Sequence, residues 1–113
     1  MKIAIGSDHA GFYLKEDIKK YLDEKNIEVI DMGPFDDKRV DYPDYGHAVG
    51  HEVIDNNLDF GIVICGSGIG ISISSNKVKG IRAALCSEPY SAKLARRHND
   101  ANVLAMGARL IGH

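Results

Sequence analysis

Cys65 stands directly before the run Gly66-Ser67-Gly68-Ile69-Gly70. A thiol beside a helix N-terminus ionises more readily than a free one, giving a base or nucleophile near neutral pH. The glycines offer backbone N–H groups at the start of the segment that follows. Such donors stabilise an anion, whether a phosphate or a developing enediolate oxygen. Each feature also has a purely structural reading. Glycines serve tight turns that need positive φ, and a lone cysteine ending a strand is often just a small buried apolar residue. A nucleotide site fits poorly. The G-x-G-x-x-G fingerprint requires glycine where Ile71 stands, and Ile71-Ser72 cannot replace the G-K-[ST] of a phosphate-cradling loop.

Three other groups carry usable chemistry. Asp8-His9 could bind sugar hydroxyls, orient a ring oxygen or ligate a metal, although no H-x-x-x-H or C-x-x-C spacing supports a metal. His98-Asn99-Asp100 offers an imidazole and an amide; taken alone it reads as a helix C-cap, with His near the negative end of the dipole and Asn able to turn left-handed. Arg109 follows the last apolar run in Gly107-Ala108-Arg109. Cys86 has no glycine loop beside it and reads as a buried apolar residue.

Positioning these groups requires elements, and the sequence alternates them. The runs Ile3–Ile5, Ile27–Met32, Phe60–Cys65, Ala83–Cys86 and Val103–Met106 are apolar and rich in β-branched residues, as parallel strands buried on both faces require. Between them lie helical spacings. Leu14, Ile18, Tyr21 and Leu22 form one stripe, with Glu16 and Lys20 as an i,i+4 pair on its wet side. Asp41-Tyr42-Pro43 opens a helix that turns Tyr45, Ala48, Val49 and Val53 to one face. Ser87-Glu88-Pro89 opens another, with Ser87 as cap and Tyr90, Leu94 and Ala95 toward the core. Strict alternation predicts an α/β fold: a three-layer α/β/α, Rossmann-like domain with a five-stranded parallel sheet and right-handed crossovers. In such sheets ligands bind beyond the carboxyl ends of the strands, where Asp8-His9, the Gly66–Gly70 loop and Arg109 all arrive. The closing stretch Gly107–His113 reads as a turn entering a further helix, so the chain is expected to be shortened, or to have one face completed by a partner subunit.

Composition sets the outer limits. The 113 residues make one domain, 1–113, with 44% hydrophobic and 27% charged residues, which excludes disorder. Fourteen basic against sixteen acidic residues, with no like-charge block, give no basis for a nucleic-acid or membrane-surface partner. The apolar runs are far short of the roughly 20 residues of a membrane span, and Ser7-Asp8-His9 interrupts the N-terminus too early for a secretory signal. Two cysteines make no disulfide framework. A cytoplasmic protein with reduced thiols is expected.

Taken in order, the motifs resemble a known family. They are Gly6-Ser7-Asp8-His9-Ala10-Gly11, Asp41-Tyr42-Pro43, Ile64-Cys65-Gly66-Ser67-Gly68-Ile69-Gly70, Asn76-Lys77, Gly80-Ile81-Arg82-Ala83, Ser87-Glu88-Pro89-Tyr90-Ser91-Ala92, Arg97-His98-Asn99-Asp100-Ala101-Asn102 and Met106-Gly107-Ala108-Arg109. This set, spanning nearly the whole chain, resembles the type B ribose-5-phosphate isomerases, relatives of the allose- and galactose-6-phosphate isomerases. The resemblance implies a metal-independent, cofactor-free interconversion of ribose 5-phosphate and ribulose 5-phosphate through an enediolate, within pentose phosphate metabolism. It implies Cys65 as the base between C1 and C2, a role that some relatives give to a carboxylate elsewhere in the loop. Gly66, Ser67, Gly68, Ile69 and Gly70 would surround the enediolate oxygen, and Asp8 and His9 would bind sugar hydroxyls. His98 would open the furanose ring with Asn99 alongside, and Arg109 would bind phosphate. A homodimer, or a dimer of dimers, with shared sites is also implied. The alternatives are a hexose-6-phosphate isomerase of the same chemistry and a non-catalytic sugar-phosphate-binding subunit. Relatives carry further C-terminal arginines that this sequence lacks, which favours the silent subunit; Cys65, His98 and Arg109 oppose it.

Overall fold

In the computed structural model, which describes residues 1–111, five strands and four helices alternate along the chain: β1 Lys2–Ser7, α1 Phe12–Glu24, β2 Glu28–Asp31, α2 Tyr42–Asp55, β3 Phe60–Cys65, α3 Ile69–Asn76, β4 Ala83–Leu85, α4 Pro89–Asn99 and β5 Val103–Gly107. All neighbours pair in parallel, in the order β2-β1-β3-β5-β4. The expected α/β sheet is therefore present. After β5 the backbone turns over residues 108–110. Gly112 and His113, the end of the expected turn into another helix, lie outside the described residues.

The alternation of side chains along each strand divides the core in two. Ala4, Val63, Cys65, Val103 and Ala105 pack with Val49 and Val53 of α2 and Ile71 of α3. Ile3, Ile5, Ile62 and Ile64 pack with Leu14 and Leu22 of α1 on the other face. Helices α2 and α3 approach so closely that a Cβ on Gly46 would lie 1.9 Å from Ser74 Oγ and 3.1 Å from Ile71 O. Gly46→Ala is therefore expected to lower stability by about 1–3 kcal/mol, read as a drop in thermal midpoint. An unchanged midpoint would mean the two helices slide apart at no cost.

Three local expectations are corrected. Glu16 pairs with Lys19 at 3.1 Å and Lys15 at 3.4 Å, not with Lys20, because Asp31 at the end of β2 draws Lys15 and Lys19 to that side. Tyr21 is 58% exposed, so the stripe of α1 reduces to Leu14, Ile18 and Leu22. At α4 the cap is Glu88, not Ser87. Its extended backbone brings the carboxylate to Tyr90 N at 2.7 Å, Ser91 N at 2.8 Å and Ser91 Oγ.

The same helix also departs from the expected burial. No residue of α4 is buried, and Tyr90 is 66% exposed. Leu94 and Ala95 are half-buried. A cavity of about 250 Å³ lies between Ala92 and Ala95 of this helix and Ile3, Ile62 and Leu104 of the sheet. The left-handed residue that ends α4 is Asp100, with Asn99 still helical.

Candidate active site

The carboxyl ends of β1, β3 and β5 bring three of the expected groups together. At the end of β3, Cys65 is only 5% exposed, and its Sγ accepts a hydrogen bond from Gly68 N at 3.1 Å. The loop above it is held by its glycines. Gly68 has φ +79°, and a Cβ there would come within 2.7 Å of the Met106 carbonyl carbon; one on Gly107 would reach Ser67 O at 2.5 Å. The loop thus lies directly on the end of β5. First-turn N–H groups of a helix lack intrahelical acceptors. Ser67 Oγ takes that of Ile69 at 3.1 Å, while among the described residues those of Gly70 and Ile71 meet no backbone acceptor. Two donors therefore remain for an incoming anion.

Arg109 joins this loop from β5. Its backbone N donates to Gly66 O at 3.0 Å, and its exposed guanidinium lies over Gly66, where an added Cβ would be 3.0 Å from Nη1. From β1, Asp8 N donates to Ile64 O at 3.0 Å, which ties the first loop to β3. Asp8 is buried, and its Oδ1 accepts from Gly11 N at 3.1 Å, so one carboxylate oxygen already serves the start of α1. His9 is half-buried, and its Nδ1 accepts from Val40 N at 3.2 Å.

His98 and Asn99 are not in this cluster. They end α4 and are exposed, on the opposite edge of the sheet. Cys65 pairs with Gly107, whereas β5 begins at Val103 opposite Gly61. Four residues of strand at about 3.3 Å each put roughly 13 Å between those two levels, and His98 precedes Val103. Cys86 is buried just after β4, where its Sγ donates to Ala84 O at 3.8 Å. Burial pushes its thiol up, with Glu88 adding to the effect.

Sequence reasoning missed two contributors. Tyr42, the first residue of α2, lies against the glycine loop, with its ring carbons 2.7 Å from where a Gly70 Cβ would be. Its proximity depends on how α2 docks on α3, which no local pattern displays. The second is the segment 33–40, which supplies the donor on His9. Among the described residues no three His, Cys, Asp or Glu side chains are grouped to hold a metal ion, and no helix is long and apolar enough to cross a membrane.

Known proteins resemble this chain in sequence and fold. Residues 3–113 match the family described as Ribose/Galactose Isomerase. Ribose-5-phosphate isomerase B of Escherichia coli is 55% identical over 98% of this chain and 74% of its own length. The solved ribose-5-phosphate isomerase B of Clostridium thermocellum superposes with a TM-score of 0.97 at 54% identity, over 99% of this chain and 76% of that one. A Mycoplasma genitalium ribose-5-phosphate isomerase B, solved with bound ribulose 5-phosphate, gives a TM-score of 0.92 at 43% identity, over 98% of this chain and 74% of that one.

Proposed function

From the premise that this chain belongs to the ribose/galactose isomerase family, we propose how its residues divide the labour of the reaction. The protein is a sugar-phosphate isomerase that interconverts ribose 5-phosphate and ribulose 5-phosphate. In the open-chain aldose, Cys65 thiolate takes the C2 proton and returns one to C1, while the hydroxyl proton passes from O2 to O1. The negative charge that develops on the enediolate oxygen meets the N–H donors of the Gly66–Gly70 loop, whose fixed geometry needs no rearrangement as charge builds. Asp8, through its remaining oxygen, and His9 bind sugar hydroxyls. His98 opens the ring by proton transfer with Asn99 beside it.

The observation that carries this reading is the buried Cys65 sulfur under a loop with donors to spare. Conversion of ribose 5-phosphate, followed by the appearance of ribulose 5-phosphate in chelator-treated buffer, tests it. Absence of turnover with native folding would favour the silent binding subunit instead.

Arg109 binds the phosphate, where its planar fork suits paired phosphate oxygens. A charge-assisted contact of this kind contributes about 1.5–3 kcal/mol. Arg109→Ala should accordingly raise KM more than tenfold, with a smaller effect on a sugar that carries no phosphate. An unchanged KM would move phosphate recognition to another residue.

The separation of His98 from Cys65 supports a homodimer in which each site takes Cys65 from one protomer and His98 from its partner. Proton transfer needs about 3 Å, and the two residues of one chain are held at opposite edges of the same sheet.

A further inference from the structure

The Lys15 side chain is completely buried, an unusual place for an ammonium group. Its Nζ lies 2.8 Å from both carboxylate oxygens of Asp31, and Lys19 reaches the same carboxylate at 2.7 Å. Glu16 is 3.4 Å from Lys15 Nζ, and the rings of Phe12 and Phe35 lie 5.3 and 5.7 Å away. Burial alone would raise the Asp31 carboxyl, but hydrogen bonds from Lys15, Lys19 and Gly33 N outweigh it and hold it below the usual carboxylate value. Removing two charges from water is costly, and an apolar pair of similar size would often stabilise a fold equally well. What distinguishes this ion pair is what it holds.

Asp31 Oδ1 accepts from Gly33 N at 2.8 Å, and Gly33 O accepts from Ser7 N at 3.1 Å. Gly33 takes φ +95°, a conformation that favours glycine. The pair therefore clamps the root of the segment 33–40 against the end of β1. Tyr13 Oη holds the middle through Asp37 Oδ2 at 2.8 Å. At the far end Val40 N donates to His9 Nδ1 at 3.2 Å. A ring nitrogen that accepts a backbone N–H carries no proton itself, so the imidazole holds its proton on Nε2.

We propose that Lys15 and Asp31 are positioning residues for His9: through the segment 33–40 they fix its imidazole as the Nε2–H tautomer, a ready donor for a sugar hydroxyl. The donor's use rests on the role given to His9 above; the tautomer does not.

Long-range ¹H–¹⁵N spectra of the full chain, with the His9 signals assigned by comparison with His9→Gln, read the tautomer directly. The wild-type ring should be almost wholly Nε2–H. Val40→Pro removes the donor without touching the ion pair, and Lys15→Met/Asp31→Leu replaces the pair with apolar residues and leaves no buried charge unpartnered. Both variants should show mixed His9 tautomers. Both should also raise KM for ribose 5-phosphate about three- to tenfold, as losing one neutral hydrogen bond would, with kcat changed less than twofold. Combining them should do no more than the larger effect alone. A folded Lys15→Met/Asp31→Leu protein with the wild-type tautomer and KM would reduce the pair to a structural brace and overturn the proposal. An unfolded one leaves the decision to Val40→Pro, where an unchanged tautomer would equally overturn it. If His9→Gln leaves KM unaltered while the tautomers shift as expected, the sugar-binding role fails and the positioning stands.

Discussion

Cys65→Ser should lose about 10²–10⁴-fold in kcat, the usual contribution of a positioned base, while KM changes little. Serine nearly preserves the size of the side chain and its place under the loop but replaces the thiol with an alcohol, a much weaker acid. The Gly68 N–H that now meets Sγ at 3.1 Å would remain, so the variant should still bind substrate, as calorimetry would register. Cys86→Ser supplies the control: that thiol is buried after β4 and donates to Ala84 O, and its loss should be mild. Full activity in Cys65→Ser would assign the proton transfer to a carboxylate or a water.

His98→Ala should be comparably damaging, and its more telling property is complementation. Mixed in equal amounts with Cys65→Ser under conditions of subunit exchange, the two inactive proteins should recover up to about a quarter of wild-type activity. Half the dimers are then mixed; each mixed dimer places both lesions in one site and leaves the other site intact. No recovery after demonstrated exchange would put both residues in the same protomer's site, against the sheet register that separates them.

The strands were readable because their β-branched runs match what a buried parallel sheet demands, and Phe60–Cys65 keeps its expected bounds. The differences elsewhere have local causes. Ile27 does not begin β2 because its N–H bonds back to Leu22 O at 3.0 Å, closing the turn after α1. Ser87 gives up the cap to Glu88 because the longer side chain reaches two backbone donors. In the site, Cys65, the glycine loop and Arg109 were legible, each lying within a few residues of a strand end. Lys15 and Tyr42 were not. Lys15 is drawn inward by a carboxylate 16 residues away in sequence, and Tyr42 reaches Gly70 through helix docking. Neither partnership leaves a periodic trace.

The weak seating of α4 has a thermodynamic consequence. Cys65 ends the central strand of the sheet, buried in the packed core. His98 rides on a helix with no buried residue, the kind of element that opens locally at small free-energy cost. If association with a second protomer holds that helix in place, part of the binding energy between subunits is spent on ordering it, and the two processes are linked by mass action. Turnover per protomer then becomes a function of protein concentration. On that reading the catalytic competence of one chain would belong to the assembly, set as much by its dissociation constant as by the residues that do the chemistry.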